Sequence, residues 1–156
     1  MIILKDNLLD TPFEIIAHQV NCQGKMNSGI AKQIREKFPI VYEDYMRVIG
    51  TYRTEMFGKA QVVYQDNHTI FNLFGQLNYG YDGRQYTSYE ALENALDIAI
   101  CRYRYDQSID LDVQITIAIP YKIGCGRGGG DWTIVTSMLE EIERDYNVVF
   151  VAYKLE

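Results

Sequence analysis

Residues 117 to 135 read Ile-Ala-Ile-Pro-Tyr-Lys-Ile-Gly-Cys-Gly-Arg-Gly-Gly-Gly-Asp-Trp-Thr-Ile-Val. The stretch runs from an apolar strand, through a glycine-dense loop, into a helix with apolar residues at helical spacing. Glycines remove side chains where backbone N–H groups can approach an anion, and the helix offers free N–H donors at its positive end. The loop glycines are Gly124, Gly126, Gly128, Gly129 and Gly130. The stretch therefore predicts a phosphate site.

The same loop matches G-x-G-x-x-G through Gly124, Gly126 and Gly129, a pattern typical of dinucleotide-dependent dehydrogenases. That fingerprint opens a βαβ unit, with an acidic residue about 20 residues further on and more sheet beyond it. Only one helix and one strand remain before Glu156, so the context argues against a dehydrogenase. Because the motif alone is weak, a glycine-rich turn without a ligand stays open as the alternative.

A second glycine loop, residues 21 to 29, follows a strand predicted at residues 13 to 20 and also leads into a helix. The apolar residues Ile30, Ile34 and Phe38 define that helix, and Pro39 closes it. In α/β folds, ligands lie at the carboxyl ends of the strands. Two such loops facing one another predict a site for a diphosphate.

The remaining elements alternate between strands and helices. Thr87-Ser88-Tyr89-Glu90 reads as a capping box that opens a helix to about Tyr105, and a long tyrosine-containing loop precedes it. The predicted strands are 1–4, 59–64, 69–74, 113–119 and 148–153, and a further helix is predicted at 41–49. The order predicts a three-layer α/β/α fold with a central mixed sheet, formed by residues 1–156 as one domain.

Composition narrows the classes of function. A formal net charge of −6 without a Lys/Arg cluster argues against an extended nucleic-acid surface. Three cysteines without C-x-x-C spacing indicate reduced thiols, and no His/Cys/Asp/Glu cluster has the spacing of metal ligands. With no signal segment and no long apolar run, we expect a cytoplasmic protein without a membrane anchor, and we expect neither a metal nor a cofactor.

The stretch from His18 to Ala31, His-Gln-Val-Asn-Cys-Gln-Gly-Lys-Met-Asn-Ser-Gly-Ile-Ala, resembles the macro domain family when taken with Ile123-Gly124-Cys125-Gly126 and Asp131-Trp132. The likeness covers nearly the whole chain. Within the family it is similar to the branch of the yeast ADP-ribose 1″-phosphate phosphatase and the human terminal ADP-ribose protein glycohydrolase. The resemblance implies a cleft for ADP-ribose.

The resemblance also implies which residues bind. The two loops would hold the diphosphate and distal ribose, Asn21 would reach that ribose, and Tyr153 and Leu155 would line the adenine pocket. The usual acidic adenine ligand is replaced by Asn7, with Asp6 one place earlier. The full set is Asp6, Asn7, Asn21, Gly24, Lys25, Asn27, Ser28, Gly29, Ile30, Gly124, Cys125, Gly126, Arg127, Gly128, Gly129, Gly130, Tyr153 and Leu155. For Lys25 and Arg127, pairing with phosphate and simple solvation are equally open.

Catalysis is carried over only in part. Gln76 and Gly128 stand where the human-type glycohydrolases have a lysine and an aspartate, and glutamine has no nucleophilic amine. His18 matches the histidine of the yeast phosphatase and is a candidate general base, with a structural, hydrogen-bonded histidine as the alternative. Asp131 is a candidate for orienting water or ribose, or else a plain helix N-cap.

Three functions remain from the sequence. The first is hydrolysis of an ADP-ribose derivative, with ADP-ribose 1″-phosphate as substrate. The second is a non-catalytic reader of ADP-ribose, free or attached to a macromolecule. The third is a de-ADP-ribosylating hydrolase without the family lysine, in which the loops hold a substrate-assisted water. Tyr79 and Tyr81, in the loop before the capping box, would either cover the distal ribose or merely pack.

Overall fold

A computed structural model describes residues 1–155, which form a six-stranded sheet covered by helices on both faces. The strands are β1 (Ile2–Lys5), β2 (Ile15–Asn21), β3 (Ala60–Gln65), β4 (His68–Gln76), β5 (Ile115–Pro120) and β6 (Val148–Lys154). The helices are α1 (Gly29–Lys37), α2 (Pro39–Tyr52), α3 (Tyr89–Gln107) and α4 (Trp132–Tyr146), with short 3₁₀ helices at Leu8–Asp10 and Arg53–Met56.

The sheet is mixed, in the order β1-β6-β5-β2-β4-β3. Its first five strands are mutually parallel, and β3 runs antiparallel to β4 in a hairpin. The carboxyl ends of β5, β2 and β4 therefore meet at one edge of the sheet. The loops that follow β2 and β5 leave from this edge, as the sequence predicts.

Side-chain alternation along the buried strands separates the two faces. In β2, Ile15 and Ala17 pack with α3 and α4, whereas Ile16 and Val20 pack with α1 and α2. A strand buried on both faces reads as a nearly continuous apolar run, which is the pattern of β5. The predicted three-layer α/β/α arrangement is confirmed.

Most boundaries differ from the sequence prediction by one to three residues, and two of the differences have a clear structural cause. Helix α3 is capped by Ser88, whose hydroxyl accepts the N–H of Ala91 at 3.1 Å, rather than by Thr87. The Thr87 hydroxyl instead donates to the carbonyl of Gly124 at 2.7 Å, so a tertiary contact has displaced the local capping box. Strand β5 starts two residues late, because Val113 lies in a turn and is exposed.

Pro39 ends one helix and begins the next. It is the first residue of α2, where its missing N–H costs nothing. None of the helices within residues 1–155 combines the length and apolar character that a membrane crossing needs.

Candidate functional site

A cleft of about 400 Å³ opens at the carboxyl ends of β2, β4 and β5. Its walls are the loop after β2 with the start of α1, the segment after β4, and the glycine-dense loop after β5. The lining residues are Gln19, Val20, Asn21, Lys25, Asn27, Ser28, Gly29, Ile30, Ala31, Gln76, Tyr79, Gly80, Tyr81, Pro120, Lys122, Ile123, Gly124, Gly126, Arg127 and Gly128. The structure thus brings together the two glycine loops that the sequence singled out.

Asn21 shapes the first loop. Its Oδ1 accepts hydrogen bonds from the N–H of Gln23 and the hydroxyl of Tyr45, each at 2.9 Å, and its Nδ2 donates to the carbonyl of Lys25 at 2.9 Å. The Tyr45 oxygen also accepts the N–H of Gly24 at 3.1 Å. One amide hydrogen of Asn21 remains for a ligand. The other polar groups of this side chain stabilise the loop itself.

The start of α1 supplies unpaired donors. Ser28 occupies the N-cap position, but its side chain makes no capping hydrogen bond. Among residues 1–155, the N–H groups of Gly29, Ile30 and Ala31 form no hydrogen bond with a protein acceptor, and all three residues line the cleft. An uncapped helix N-terminus that faces a cleft is a site for an anion.

The second loop divides its N–H groups into two sets. Those of Gly129 and Gly130 turn inward, to the carbonyls of Gly126 at 3.1 Å and Gly124 at 2.9 Å. The N–H groups of Gly126, Arg127 and Gly128 have no acceptor within the described part of the chain, and these residues line the cleft. The second wall therefore also presents backbone donors.

The start of α4 differs from expectation. Asp131 is its N-cap, and the carboxylate accepts the N–H of Thr133 at 2.8 Å. Because this carboxylate already occupies the positive end of the helix, and Asp131 does not line the cleft, α4 offers no free anion site. The N-cap interpretation of Asp131 is the one that the geometry matches.

A junction centred on Thr87 joins the cleft walls. The Thr87 hydroxyl accepts from Nε2 of Gln19 at 2.8 Å while donating to Gly124. The carbonyl of Gly128 accepts the N–H groups of Tyr86 and Thr87 at 2.7 and 2.9 Å. A Cβ on Gly128 would collide with the Thr87 hydroxyl and lie 2.7 Å from the Gly124 carbonyl oxygen. Gly128 is therefore required by packing, and not only for the approach of an anion.

Gln76 lines the cleft at the position where the resemblance places a lysine. Its Oε1 accepts from Nε2 of Gln19 at 2.6 Å, and its Nε2 donates to the carbonyl of Asn78 at 2.8 Å. The side chain is a fixed amide that carries no titratable group, so it supplies neither a nucleophile nor a base.

The charged side chains that line the cleft are all cationic. Lys25, Lys122 and Arg127 line it, and the described lining contains no Asp, Glu or His. In a chain of net charge −6, three cations around two sets of unpaired N–H groups select for an anionic ligand.

Two tyrosines cover one side of the cleft. The guanidinium carbon of Arg127 lies 4.1 Å from the centre of the Tyr81 ring, and the Tyr79 and Tyr81 rings meet edge to face at 6.3 Å. The segment after β4 thus packs onto the glycine-dense loop. Both tyrosines also line the cleft, so packing and contact with a ligand are compatible.

His18 does not lie in the cleft. Its ring is completely buried, and its Nε2 is 2.6 Å from Oδ1 of Asn72. The Nδ2 of Asn72 in turn donates to Oε1 of Gln61. Burial lowers the pKa of His18 to about 4, and the hydrogen bond to Asn72 offsets part of this effect. The position does not support a direct role as base toward a ligand, and it matches the structural alternative.

Other residues from the predicted set also lie outside the lining. Asn7 caps the first 3₁₀ helix by accepting the N–H of Leu9 at 3.0 Å, and Asp6 accepts the N–H of Asn7 at 2.7 Å. Tyr153 is buried with its hydroxyl 2.7 Å from that of Thr11, and Leu155 is exposed. Gly24, Cys125, Gly129 and Gly130 also lie outside the lining of the cleft.

Cys125 does not offer an activated thiol. Burial raises its pKa to about 11, and its Sγ donates to the carbonyl of Ile123 at 3.4 Å. Within residues 1–155 no group of three or more His, Cys, Asp or Glu side chains is arranged to hold a metal ion.

Sequence reasoning did not assign several lining residues to the binding set. They are Gln19, Val20, Ala31, Gln76, Tyr79, Gly80, Tyr81, Pro120, Lys122 and Ile123. Lys122 had a usable signal, because it directly precedes Ile123-Gly124 on the predicted phosphate loop. Gln19 had a weaker one, because it lies two residues before Asn21 on the same strand.

Comparison with known proteins supports the fold. No family model matches the sequence. A DNA ADP-ribosyl glycohydrolase of Thermus aquaticus is 28% identical over 147 residues, which is 88% of this chain and 36% of that protein. The chain thus spans about a third of the length of this relative.

Solved structures show the same architecture. The macrodomain of Thermus aquaticus DarG superposes with a TM-score of 0.77 at 24% identity, covering 97% of this chain and 95% of the other. Thermosipho africanus DarTG, solved in complex with ADP-ribose, gives a TM-score of 0.73 at 18% identity over 97% of this chain and 40% of that one. The chain has a macrodomain fold.

Gly126 and Gly128, two glycines of the second loop that line the cleft, provide a matched test of the Thr87 junction. Gly128→Ala forces a methyl group into the Thr87 hydroxyl and should lower the free energy of unfolding by about 1–3 kcal/mol. At Gly126 a Cβ meets nothing within 4 Å, so Gly126→Ala should change stability by less than about 0.5 kcal/mol. Urea denaturation of both variants measures the difference, and equal costs would contradict the packing role.

The buried His18 predicts an acid-sensitive fold. Its pKa falls from 6.5 in the unfolded chain to about 4 in the folded one, so only the unfolded state gains a proton between these values. The stability that comes from keeping His18 neutral is fully present above about pH 6.5 and is lost as the pH falls toward 4. By pH 5 the free energy of unfolding should have fallen by about 2 kcal/mol. His18→Gln should remove this component from urea denaturation curves recorded at pH 7 and pH 5. His68→Gln is the control and should retain it, and an unchanged pH dependence in His18→Gln would refute the assignment.

Proposed function

We propose that the cleft binds ADP-ribose, with the diphosphate held between the two glycine loops. The observation that carries this proposal is the pair of unpaired N–H sets on opposite walls, at residues 29–31 and 126–128. A diphosphate has two negative charges and many acceptor oxygens, so it can use donors from both walls at once. The three cations of the lining add charge complementarity.

The size of the cleft and its relatives support the same ligand. A volume of about 400 Å³ lies in the range of small-molecule sites. A protein of this fold has been solved with ADP-ribose, and the Thermus aquaticus relative is named for ADP-ribosyl glycohydrolysis. The proposed adenine contacts at Asp6, Asn7, Tyr153 and Leu155 rest on the sequence resemblance alone, since the described cleft does not reach them.

Recognition without turnover is the activity that this chemistry favours. The lining has no carboxylate or imidazole, and Gln76 stands at the lysine position of the human-type glycohydrolases. The ADP-ribose 1″-phosphate phosphatase hypothesis needs His18 to reach a terminal phosphate or its water, and the burial of His18 weighs against it. Asp131 does not supply a base either, because its carboxylate caps α4 by accepting the N–H of Thr133.

Hydrolysis of an ADP-ribose linkage is the second candidate, favoured by the Thermus aquaticus relative. Without a side-chain base, it would require a water held by the loop N–H groups and activated by the ligand's own phosphates. Two assays distinguish the reader, the glycohydrolase and the phosphatase. One measures release of free ADP-ribose from ADP-ribosylated DNA or protein, and the other measures release of phosphate from ADP-ribose 1″-phosphate. A reader releases neither product.

Calorimetric titration tests the proposed ligand. ADP-ribose should bind with micromolar affinity, and NAD and AMP much more weakly. Arg127→Gln removes a cation of the lining and should weaken ADP-ribose binding about tenfold, or about 1.4 kcal/mol. Lys59→Gln, an exposed lysine outside the cleft, is the matched control and should bind as the wild type does. Absence of ADP-ribose binding, or equal affinity in Arg127→Gln, would refute the assignment of this cleft.

A further inference from the structure

A second groove lies at the edge of the sheet, along the outer side of β3. We call it the β3 groove, and its volume is about 430 Å³. One wall is formed by Asp44 and Arg47 of α2, and the other by Ile98, Arg102 and Asp106 of α3. Residues 60–64 of β3 lie between the two walls. The β3 groove shares no lining residue with the cleft.

The strand in this groove presents unpaired backbone groups. In an antiparallel pair, residues that bond to the partner strand alternate with residues whose N–H and C=O point away from it. The carbonyl of Lys59 accepts the N–H of Phe74 at 3.0 Å, which sets this alternation. It directs the N–H and C=O groups of Ala60, Val62 and Tyr64 into the groove. Within residues 1–155, β4 is the only strand that pairs with β3, and these groups have no backbone partner.

Strand β3 lacks the features that normally protect an edge strand. Proteins block such edges with charged residues, proline, β-bulges or a covering segment. The six residues of β3 read Ala-Gln-Val-Val-Tyr-Gln, and they pair with β4 in one continuous register. The strand therefore contains no charge, no proline and no bulge. Such an edge is suited to pair with an added strand, a recurring mode of peptide recognition.

A single extended segment fits this groove better than a second copy of the chain does. A copy that offered its own β3 would also bring the α2 and α3 walls that flank it. Neighbouring strands pair only when they lie about 4.8 Å apart. In a two-fold arrangement the helical walls of the two copies would meet before the strands reached that distance. A segment without flanking helices meets no such obstacle.

The exposed charge on both walls is cationic. Nε of Arg102 donates to Oδ2 of Asp106 at 3.1 Å, and this oxygen also accepts the hydroxyl of Tyr64 at 2.8 Å. Nη2 of Arg47 donates to Oδ1 of Asp44 at 2.6 Å. The arginine side chains are 66% and 73% exposed, whereas their carboxylate partners are only 21% and 24% exposed. An entering segment therefore meets a guanidinium group on each wall.

Arg102 is arranged to bind a further carboxylate. Only its Nε is used, and within residues 1–155 its two Nη atoms have no acceptor. A pair of Nη donors matches the two oxygens of a carboxylate. On the α2 wall, Nε and Nη1 of Arg47 also have no acceptor in the described part of the chain. The unused donors of both walls are thus complementary to acidic side chains.

One face of the groove is also apolar. Val62 packs with the core on the α3 side of the sheet, whereas Val63 packs with the core on the α2 side. Ile98 of α3, which is 44% exposed, lines the groove together with Val62. Successive side chains of an extended segment point to opposite faces. An apolar residue can therefore contact Val62 and Ile98 while its neighbours face α2 and Arg47.

We propose that the β3 groove binds an extended acidic segment of another polypeptide, which adds to the sheet as a strand beside β3. The segment carries an apolar residue toward Val62 and Ile98, a carboxylate two positions away toward Arg102, and a carboxylate on the opposite face toward Arg47. This interaction surface is separate from the cleft. It does not depend on whether the cleft binds ADP-ribose.

Synthetic peptides test the proposal. The probe is acetyl-Glu-Glu-Val-Glu-Val-Glu-Glu-amide, which presents the required pattern in either strand direction. One control peptide has lysine in place of every glutamate. The other keeps the sequence and charge of the probe but has N-methyl groups on its three central residues, which removes their N–H donors. Fluorescence anisotropy of labelled peptides at low salt measures affinity for the whole chain.

The probe should bind at least about tenfold more tightly than either control peptide. Arg102→Gln should weaken binding of the probe about tenfold, and Arg144→Gln, at another exposed helical arginine, should bind it as the wild type does. Both variants should retain the wild-type response to ADP-ribose in calorimetry. Absence of probe binding, or equal binding of the lysine peptide, would overturn the proposed acidic partner.

Hydrogen exchange followed by NMR tests strand addition itself. The probe should slow exchange at the amides of Ala60, Val62 and Tyr64, which point into the groove. It should change exchange little at Gln61 and Val63, whose backbone groups face β4. Equal affinity of the N-methylated peptide, or protection centred elsewhere, would contradict pairing with β3. Protection of these three amides in a dimer of the protein alone would overturn the inference in favour of a second copy.

Discussion

The hydrogen bonds of Thr87 hold the cleft together. This residue joins Gln19 of β2, the carbonyl of Gly124, and, through its backbone N–H, the carbonyl of Gly128. The second loop is thereby tied to the middle of the sheet and to the start of α3. Because the Thr87 hydroxyl is used in this way, Ser88 takes over the cap of α3.

This junction determines which groups are left for a ligand. Inward hydrogen bonds consume the N–H groups of Gly129 and Gly130, and the Asp131 cap closes the start of α4. What remains unpaired is a short run of N–H groups in the second loop and the uncapped first turn of α1. Since the cations of the lining have no acidic neighbours in the cleft, an acidic protein presents a local site for an anion.

Much of this could be predicted from the sequence, because it depends on local patterns. Strand and helix order, the end of α1 two residues before Pro39, and two glycine loops at carboxyl ends of strands all follow from apolar spacing and from the positions of Gly and Pro. The sequence does not predict which glycines of the second loop are required by packing. That requirement comes from contacts with residues 84–87, about 40 positions away along the chain. The sequence carries no local mark of such contacts.

His18 shows the same limit. Alternation along β2 assigns its side chain to one face of the sheet, but only the packing of α1 and α2 decides that this face is sealed. The match of His18 to a catalytic histidine therefore concerns only its position in the chain. It does not predict whether the side chain reaches the cleft. Tyr79 and Tyr81 are the converse case, since the irregular sequence of their loop left open whether they cover the site or merely pack, and the structure places both in the lining of the cleft.

The unpaired N–H groups of the two loops are the proposed donors to the diphosphate, and amide NMR observes them directly. In a titration with ADP-ribose, we expect the largest shifts at the amides of residues 29–31 and 126–128, with much smaller shifts at Gly129, Gly130 and Thr133, whose N–H groups are already bonded within the protein. Shifts centred elsewhere, or equal shifts across both sets of amides, would contradict the proposed binding of a diphosphate by these donors.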